Sequence, residues 1–355
     1  MKRMFPKFIL TCLILLLLAG CTKTPSPVDA FDPVSASPVP SEETVAEEEV
    51  GIVSTPSFDA LPTLPPTPVP PPTPEPMPDR RFSIVWASDT QTMIVYESMR
   101  EGYQAICDWI VENADEMRIA AFIHTGDMVD NGDKQKQWDI FNKGVAEVTE
   151  KVPFFCAPGN HDEGSSGKHP WKNQPFFQSI PDAQKYNGGE AYYEILSVGE
   201  TKLLLLSVCW SKKGNDSTLK WLRSVCETHS DLPAVLISHG YLSAKNKRIN
   251  AAEQLEKDLV ARCANIKLVL SGHARGIAHT AFYYDDDGDG FTERKVNALM
   301  YDIQTDRTNY CYVCILTYDP NTNTLSVDSF SPLTDDHVYD DEKEDLERFV
   351  LYDVF

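Results

Sequence analysis

The chain has 355 residues, and its 53 Asp and Glu against 32 Lys and Arg give a formal net charge of −21. Phosphate backbones are held by Lys and Arg, so this balance argues against a non-specific nucleic-acid binder, and an anionic ligand would need positive charge supplied locally. Residues 80–355 are long enough for one large core or two intimately packed halves, and no internal repeat is visible in them.

Met1-Lys2-Arg3 opens the chain, an apolar run extends from Phe8 to Ala19, and Leu18-Ala19-Gly20-Cys21 closes it. The run is too short for a comfortable membrane span, and the small residues before Cys21 suit a signal peptidase. Residues 1–20 resemble a bacterial lipoprotein signal peptide, which implies a lipid on Cys21 and attachment to the outer face of a bacterial membrane. Residues 21–79 are rich in Pro, Thr, Ser and Glu, with Leu64-Pro65-Pro66-Thr67-Pro68-Val69-Pro70 near their end. Such a segment buries too little apolar surface to offset its ordering entropy, so a disordered stalk is expected. Besides Cys12 and Cys21, seven cysteines remain; an odd number without regular spacing reads as buried thiols, not a disulfide framework.

Apolar, β-branched runs then alternate with segments of helical period. Strands are expected at Phe82 to Ser88, Arg118 to Thr125 and Val152 to Ala157, with helices at Glu97 to Met117 and Trp138 to Glu150 between them. An antiparallel pair follows at Ala191 to Leu196 and Lys202 to Trp210, turning at Gly199-Glu200. Helices at Ser217 to Thr228 and Ala251 to Cys263 lead into strands at Ala234 to Ser238 and Lys267 to Ser271. The tail from Ile277 is nearly all strand, and the sum is two sheets covered by helices.

Five polar clusters each follow an expected strand: Asp89-Thr90-Gln91, Gly126-Asp127-Met128-Val129-Asp130, Gly159-Asn160-His161-Asp162, Ser238-His239-Gly240, and Ser271-Gly272-His273-Ala274-Arg275. Taken singly, each reads as a cap or a turn. Together they gather where ligands of α/β folds gather, beyond the carboxyl ends of strands. Asp, Asn and neutral His are donors of the kind that hold Zn²⁺, Mn²⁺ or Fe, and no Cys joins them.

In this order the clusters resemble the calcineurin-like metallophosphoesterase superfamily over about Phe82 to Ser331. The resemblance implies an α/β four-layer αββα sandwich of two mixed sheets flanked by helices. It also implies one or two divalent ions (Mn, Fe, Zn or Mg), a phosphate-ester substrate, and attack on phosphorus by water activated at the metal. Carried over by position, Asp127 bridges two ions, and Asn160, His239 and His273 complete the second-metal site. Asp89 serves the first metal with Gln91 in place of the usual imidazole, and Arg275 replaces that site's other histidine. Gln91 still offers an oxygen, whereas a guanidinium has no acceptor. Two outcomes follow: Arg275 pairs with Asp89 and the substrate phosphate at a one-metal centre, or it turns to solvent and a second ion binds loosely. His161 would protonate the leaving oxygen, with Asp162 orienting its ring.

Outside these clusters, Asp285-Asp286-Asp287-Gly288-Asp289-Gly290 has the look of a Ca²⁺ loop, but Val296 stands where the closing Glu belongs, and a hairpin turn is expected. His124 is expected beside the site as a hydrogen-bonding neighbour, and His279 as a packed strand residue. Trp171, Phe176 and Phe177 are either an aromatic rim for the substrate or core. Two functions remain: a phosphoric-ester hydrolase acting outside the cytoplasm, or an inactive phospho-ligand binder on the same fold.

Overall fold

The computed structural model describes residues 78–165, 168–303, 311–337 and 339–355. The signal peptide, Cys21 and nearly all of the expected stalk lie outside these residues.

In chain order, β1 (Phe82–Ala87), α1 (Gln91–Val95), α2 (Arg100–Asn113), β2 (Ile119–His124), α3 (Gln135–Thr149) and β3 (Phe154–Cys156) form the first alternating half. Then come α4 (Pro175–Gln178), β4 (Lys185–Tyr186), β5 (Ala191–Val198), β6 (Thr201–Val208), α5 (Asp216–Thr228), β7 (Ala234–Ser238), the short β8 (Leu242–Ser243) and β9 (Lys247–Arg248), and α6 (Glu253–Asp258). The remainder is β10 (Ile266–Ser271), β11 (Gly276–Tyr284), β12 (Arg294–Asp302), β13 (Val313–Asp319), β14 (Thr324–Phe330), α7 (Glu344–Glu347) and β15 (Arg348–Tyr352).

Two large sheets result, ordered β15-β14-β13-β1-β2-β3 and β11-β12-β10-β7-β6-β5-β4. Both are mixed: β1, β2 and β3 are parallel while β13 runs against β1, and β6, β7, β10 and β12 are parallel while β5 and β11 run against their neighbours. β1 is buried along its whole length, as the middle of a covered sheet requires. One apolar core holds Val235, Ile237, Leu268 and Leu270 from the second sheet with Val85, Phe122 and the α2 and α3 residues Ile110 and Phe141. A second core packs the other face of that sheet, through Leu236 and Val269, against Leu222 of α5 and Leu255 of α6. These are the four layers that the resemblance implies.

Two expected helices are broken. The Glu97 to Met117 segment starts with a 3₁₀ turn and ends at Asn113, and Arg118 turns the chain into β2 at φ +50°. The Ala251 to Cys263 segment holds α6 between two 3₁₀ turns, because Leu259 leaves helical geometry (φ −126°) and both it and Val260 are fully buried. Side chains satisfy the carbonyls freed there: Arg223 donates to Asp258 O and Arg294 Nη1 to Val260 O at 3.0 Å. Trp171 and Phe177 are core, packed on each other edge to face at 4.6 Å, and Phe176 packs on Phe154 at 5.2 Å, so the rim reading of these aromatics is set aside. All seven described cysteines are buried free thiols.

Glu194 on β5 lies between two grooves at the sheet edges, and burial pushes its carboxyl up to about 7. The unfolded chain ionises first, so stability falls as pH rises from the ordinary value of 4.5 towards 7 and is flat above. Glu194→Gln should therefore stabilise the protein by about 1 kcal/mol at pH 8, after discounting for partial exposure, and by nothing at pH 4. Urea unfolding at the two pH values checks this, and an equal gain at both contradicts it.

Candidate metal centre

All five clusters sit where β1, β2, β3, β7 and β10 end, on one edge of the two sheets. Their backbones are stitched together: Asp89 N donates to Gly126 O (2.9 Å), Gln91 N to Asp127 O (3.0 Å) and Gly272 N to His239 O (2.9 Å). Asp89, Asp127 and His273 adopt φ of +56°, +52° and +70°. Left-handed backbone at three non-glycine residues persists only where the surroundings over-determine it, and such positions cluster at functional sites. The motif glycines allow the loops to close. A Cβ on Gly159 would collide with the Asp127 carboxylate, and one on Gly272 with Ser88 and Asp89.

Asp127, His239 and His273 bring one ligand atom each to within 4.8 Å of one another. His239 Nδ1 donates to Thr125 O at 2.8 Å, which leaves Nε2 facing Asp127 Oδ2 at 3.1 Å and His273 Nδ1 at 3.2 Å. Burial alone would disfavour a charge on His239, but the carboxylates of Asp127 and Asp89 outweigh it and raise its pKa to about 9. Burial would likewise raise Asp127, yet His239 holds it below the ordinary value. His273 is pushed down to about 4 by burial and by His239.

Asn160 Oδ1 is buried without a hydrogen-bond partner in this loop, while the next residue's amide, His161 N, donates to Asp127 Oδ1 at 2.9 Å. An orphaned buried acceptor beside a carboxylate and two converging imidazoles is the donor set of a divalent transition-metal site. Burial and, after it, the charge of Asp302 push Asp89 well above the carboxylate range. Asp89 Oδ2 accepts from His273 N (2.9 Å), and Gln91 Nε2 donates to Asp127 Oδ2 (3.4 Å). Asp302, at the end of β12, carried no sequence signal beyond an Asp at a strand end.

His161 is 40% exposed, with Nε2 3.9 Å from Asp127 Oδ2 and Nδ1 2.6 Å from Asp130 O. Its orienting partner is Asp130, whose Oδ1 is 3.7 Å from Nδ1. Asp162 does not serve the ring as expected. Fully buried, it accepts from Val129 N (3.1 Å) and Gly159 N (2.8 Å), and so clamps the two loops that carry Asp127 and Asn160. Burial and the charge of Asp127 push it up to about 7. Arg275 is exposed, so of the two expectations for it the turn to solvent is the one observed.

His124 is buried, accepts from Gly126 N (3.1 Å) and lies 3.1 Å from Thr90 Oγ1; burial holds its pKa down at about 3. His279 stacks on Phe349 at 4.8 Å, away from the centre. The acidic turn between β11 and β12 gathers Asp285, Asp287, Asp289 and Glu293 on the surface, and several of these carboxylates cap the turn's own amides, as Asp285 does for Gly288 and Gly290.

Asp162→Ala should cost about 2–4 kcal/mol, because two buried amides lose their acceptor. Denaturant unfolding measures the loss, and a change below about 0.5 kcal/mol would show that the clamp is dispensable.

Comparison with known proteins agrees with this geometry. The chain is 27% identical over 269 residues to YvnB of Bacillus subtilis (strain 168), an uncharacterized protein; the match covers 73% of this chain and 20% of YvnB. The chain thus spans about a fifth of that relative's length. The structure of purple acid phosphatase PPD1 from yellow lupin (Lupinus luteus) seeds superposes with a TM-score of 0.52 at 13% identity, covering 79% of this chain and 55% of that one, which shows a shared fold. Residues 82–274 match the calcineurin-like phosphoesterase family, a span that holds four of the clusters and all but Arg275 of the fifth, and the chain belongs to that family.

Proposed function

We propose that this protein is a metal-dependent phosphoric-ester hydrolase that works outside the cytoplasm, tethered by a lipid on Cys21. The observation that carries the reading is the convergence of Asp127, His239 and His273, with the unpartnered Asn160 Oδ1 in the neighbouring loop and a partly exposed His161 next to Asp127. A divalent ion bound there would polarise a phosphoryl oxygen and lower the pKa of a water. The chain's own residues do the rest. Asp127 and the two imidazoles hold the charge in place, and Thr125 O fixes the tautomer of His239.

Asp130 O fixes the ring of His161 through Nδ1, so Nε2 is the atom that carries a proton to the departing ester oxygen. Asp89 and Gln91 support a second ion weakly at best, because Arg275 supplies no ligand atom. One tightly held ion per chain is therefore the reading. An inactive phospho-ligand binder is the alternative, favoured by the two altered first-metal positions and disfavoured by the retained proton donor.

Purified protein assayed on p-nitrophenyl phosphate and its bis ester should turn over only with Mn²⁺, Zn²⁺ or Fe²⁺. Asp127→Asn should lose metal and activity together. His161→Ala should lower kcat by about 100-fold with metal content unchanged. Absence of turnover by metal-loaded protein on a broad ester panel would leave the binder reading, and two tightly held ions by elemental analysis would refute the one-metal centre.

Localisation is tested separately. Cys21→Ala should abolish lipid labelling and release the protein from membranes or leave its precursor unprocessed; labelling equal to the wild type would exclude Cys21 as the anchor.

A further inference from the structure

Trp210, in the 3₁₀ turn that follows β6, belongs to none of the five clusters, yet its indole meets two of their histidines. Its ring lies 4.4 Å from that of His273, tilted by 42°, and 5.5 Å from that of His239, edge on at 69°. The indole is itself held from several sides. Trp210 N donates to Pro158 O at 3.0 Å, immediately before the Gly159-Asn160-His161 loop. Lys213 Nζ sits over the indole, 2.9 Å from the ring centroid, and donates to Trp210 O at 3.3 Å.

That lysine is only 5% exposed, a burial that Lys tolerates when a partner such as an aromatic face compensates it. The glycine after His239 completes the seat: a Cβ on Gly240 would stand 2.7 Å from Trp210 Cζ3. His273, by contrast, follows a strand end, has a left-handed backbone, and its ring meets that of His239 through a hydrogen-bonding contact at Nδ1. A ligand ring without a wall must be ordered when the ion binds, which weakens affinity.

We propose that Trp210 is the positioning residue of the metal centre, its indole fixing the ring plane of His273 while Lys213 anchors the indole. The inference rests on the proposed metal-dependent reading. It adds that metal affinity is set partly from the turn after β6, a segment that supplies no ligand.

The test is metal affinity of the full chain, by calorimetric titration and chelator competition with Mn²⁺ and Zn²⁺. Trp210→Ala should weaken binding by about 10- to 100-fold, the range for groups that orient metal-bound imidazoles, and Trp210→Phe should recover most of it. Lys213→Met should weaken it by a smaller factor. With metal in excess, kcat of Trp210→Ala should return towards the wild-type value and KM for the ester should be unchanged, which a general structural defect would not produce. Should Trp210→Ala fail to fold, Trp210→Leu, which keeps bulk but lacks a planar face, takes its place with the same expectation. Wild-type affinity in folded Trp210→Ala or Trp210→Leu overturns the inference and leaves the metal-dependent reading standing. A wild type that binds neither metal overturns both.

Discussion

The arrangement of this molecule depends on one buried carboxylate, that of Asp127. It is 2% exposed at the end of a parallel strand, where its charge is costly unless hydrogen-bond donors and positive charge surround it. The protein surrounds it from three chain segments: His161 N from the loop after β3, Gln91 Nε2 from the start of α1, and His239 Nε2 from the loop after β7. Each partner fixes the position of its own loop, so the requirement to satisfy one side chain brings together residues from both sheets.

The same edge holds Asp89, Asp162 and Asp302, all buried. Burial, and after it the charge of a neighbouring carboxylate (Asp302 for Asp89, Asp127 for Asp162), displaces Asp89 and Asp162 upward, and Asp127 and Asp89 raise His239 against the effect of its burial. A protein of net charge −21 that collects carboxylates at one point is poorly suited to a phosphate ester by itself. A divalent cation reverses the sign of the local field. The proposed donors, two imidazoles, a carboxylate and an amide oxygen, would hold it there.

The departures from the family pattern have unequal consequences. Gln91 still faces Asp127 and remains part of its shell, whereas Arg275 leaves the centre for solvent. The charge a second ion would meet is thus that of Asp89 and Asp127 with no first-site imidazole. The ring of His161, the proposed proton donor, is held by Asp130, three residues after Asp127 on the same loop.

The sequence by itself determined the alternation of strands and helices, the placement of Asp89, Asp127, Asn160, His239 and His273 at strand ends, and the glycines that let those loops close. These follow from local rules: side-chain period, turn chemistry and the absence of a Cβ. Tertiary structure decided which atoms meet. Asp162 follows His161 directly, yet its carboxylate faces two backbone amides and not the ring beside it. Trp171 and Phe177 lie in a polar loop by composition yet enter the core, where Phe177 packs edge to face on both Trp171 and Tyr192 of β5. Trp210 meets His273, 63 residues away, only because β6, β7 and β10 are neighbours in one sheet. Contacts of that span depend on sheet order, which the spacing of residues along a chain does not encode.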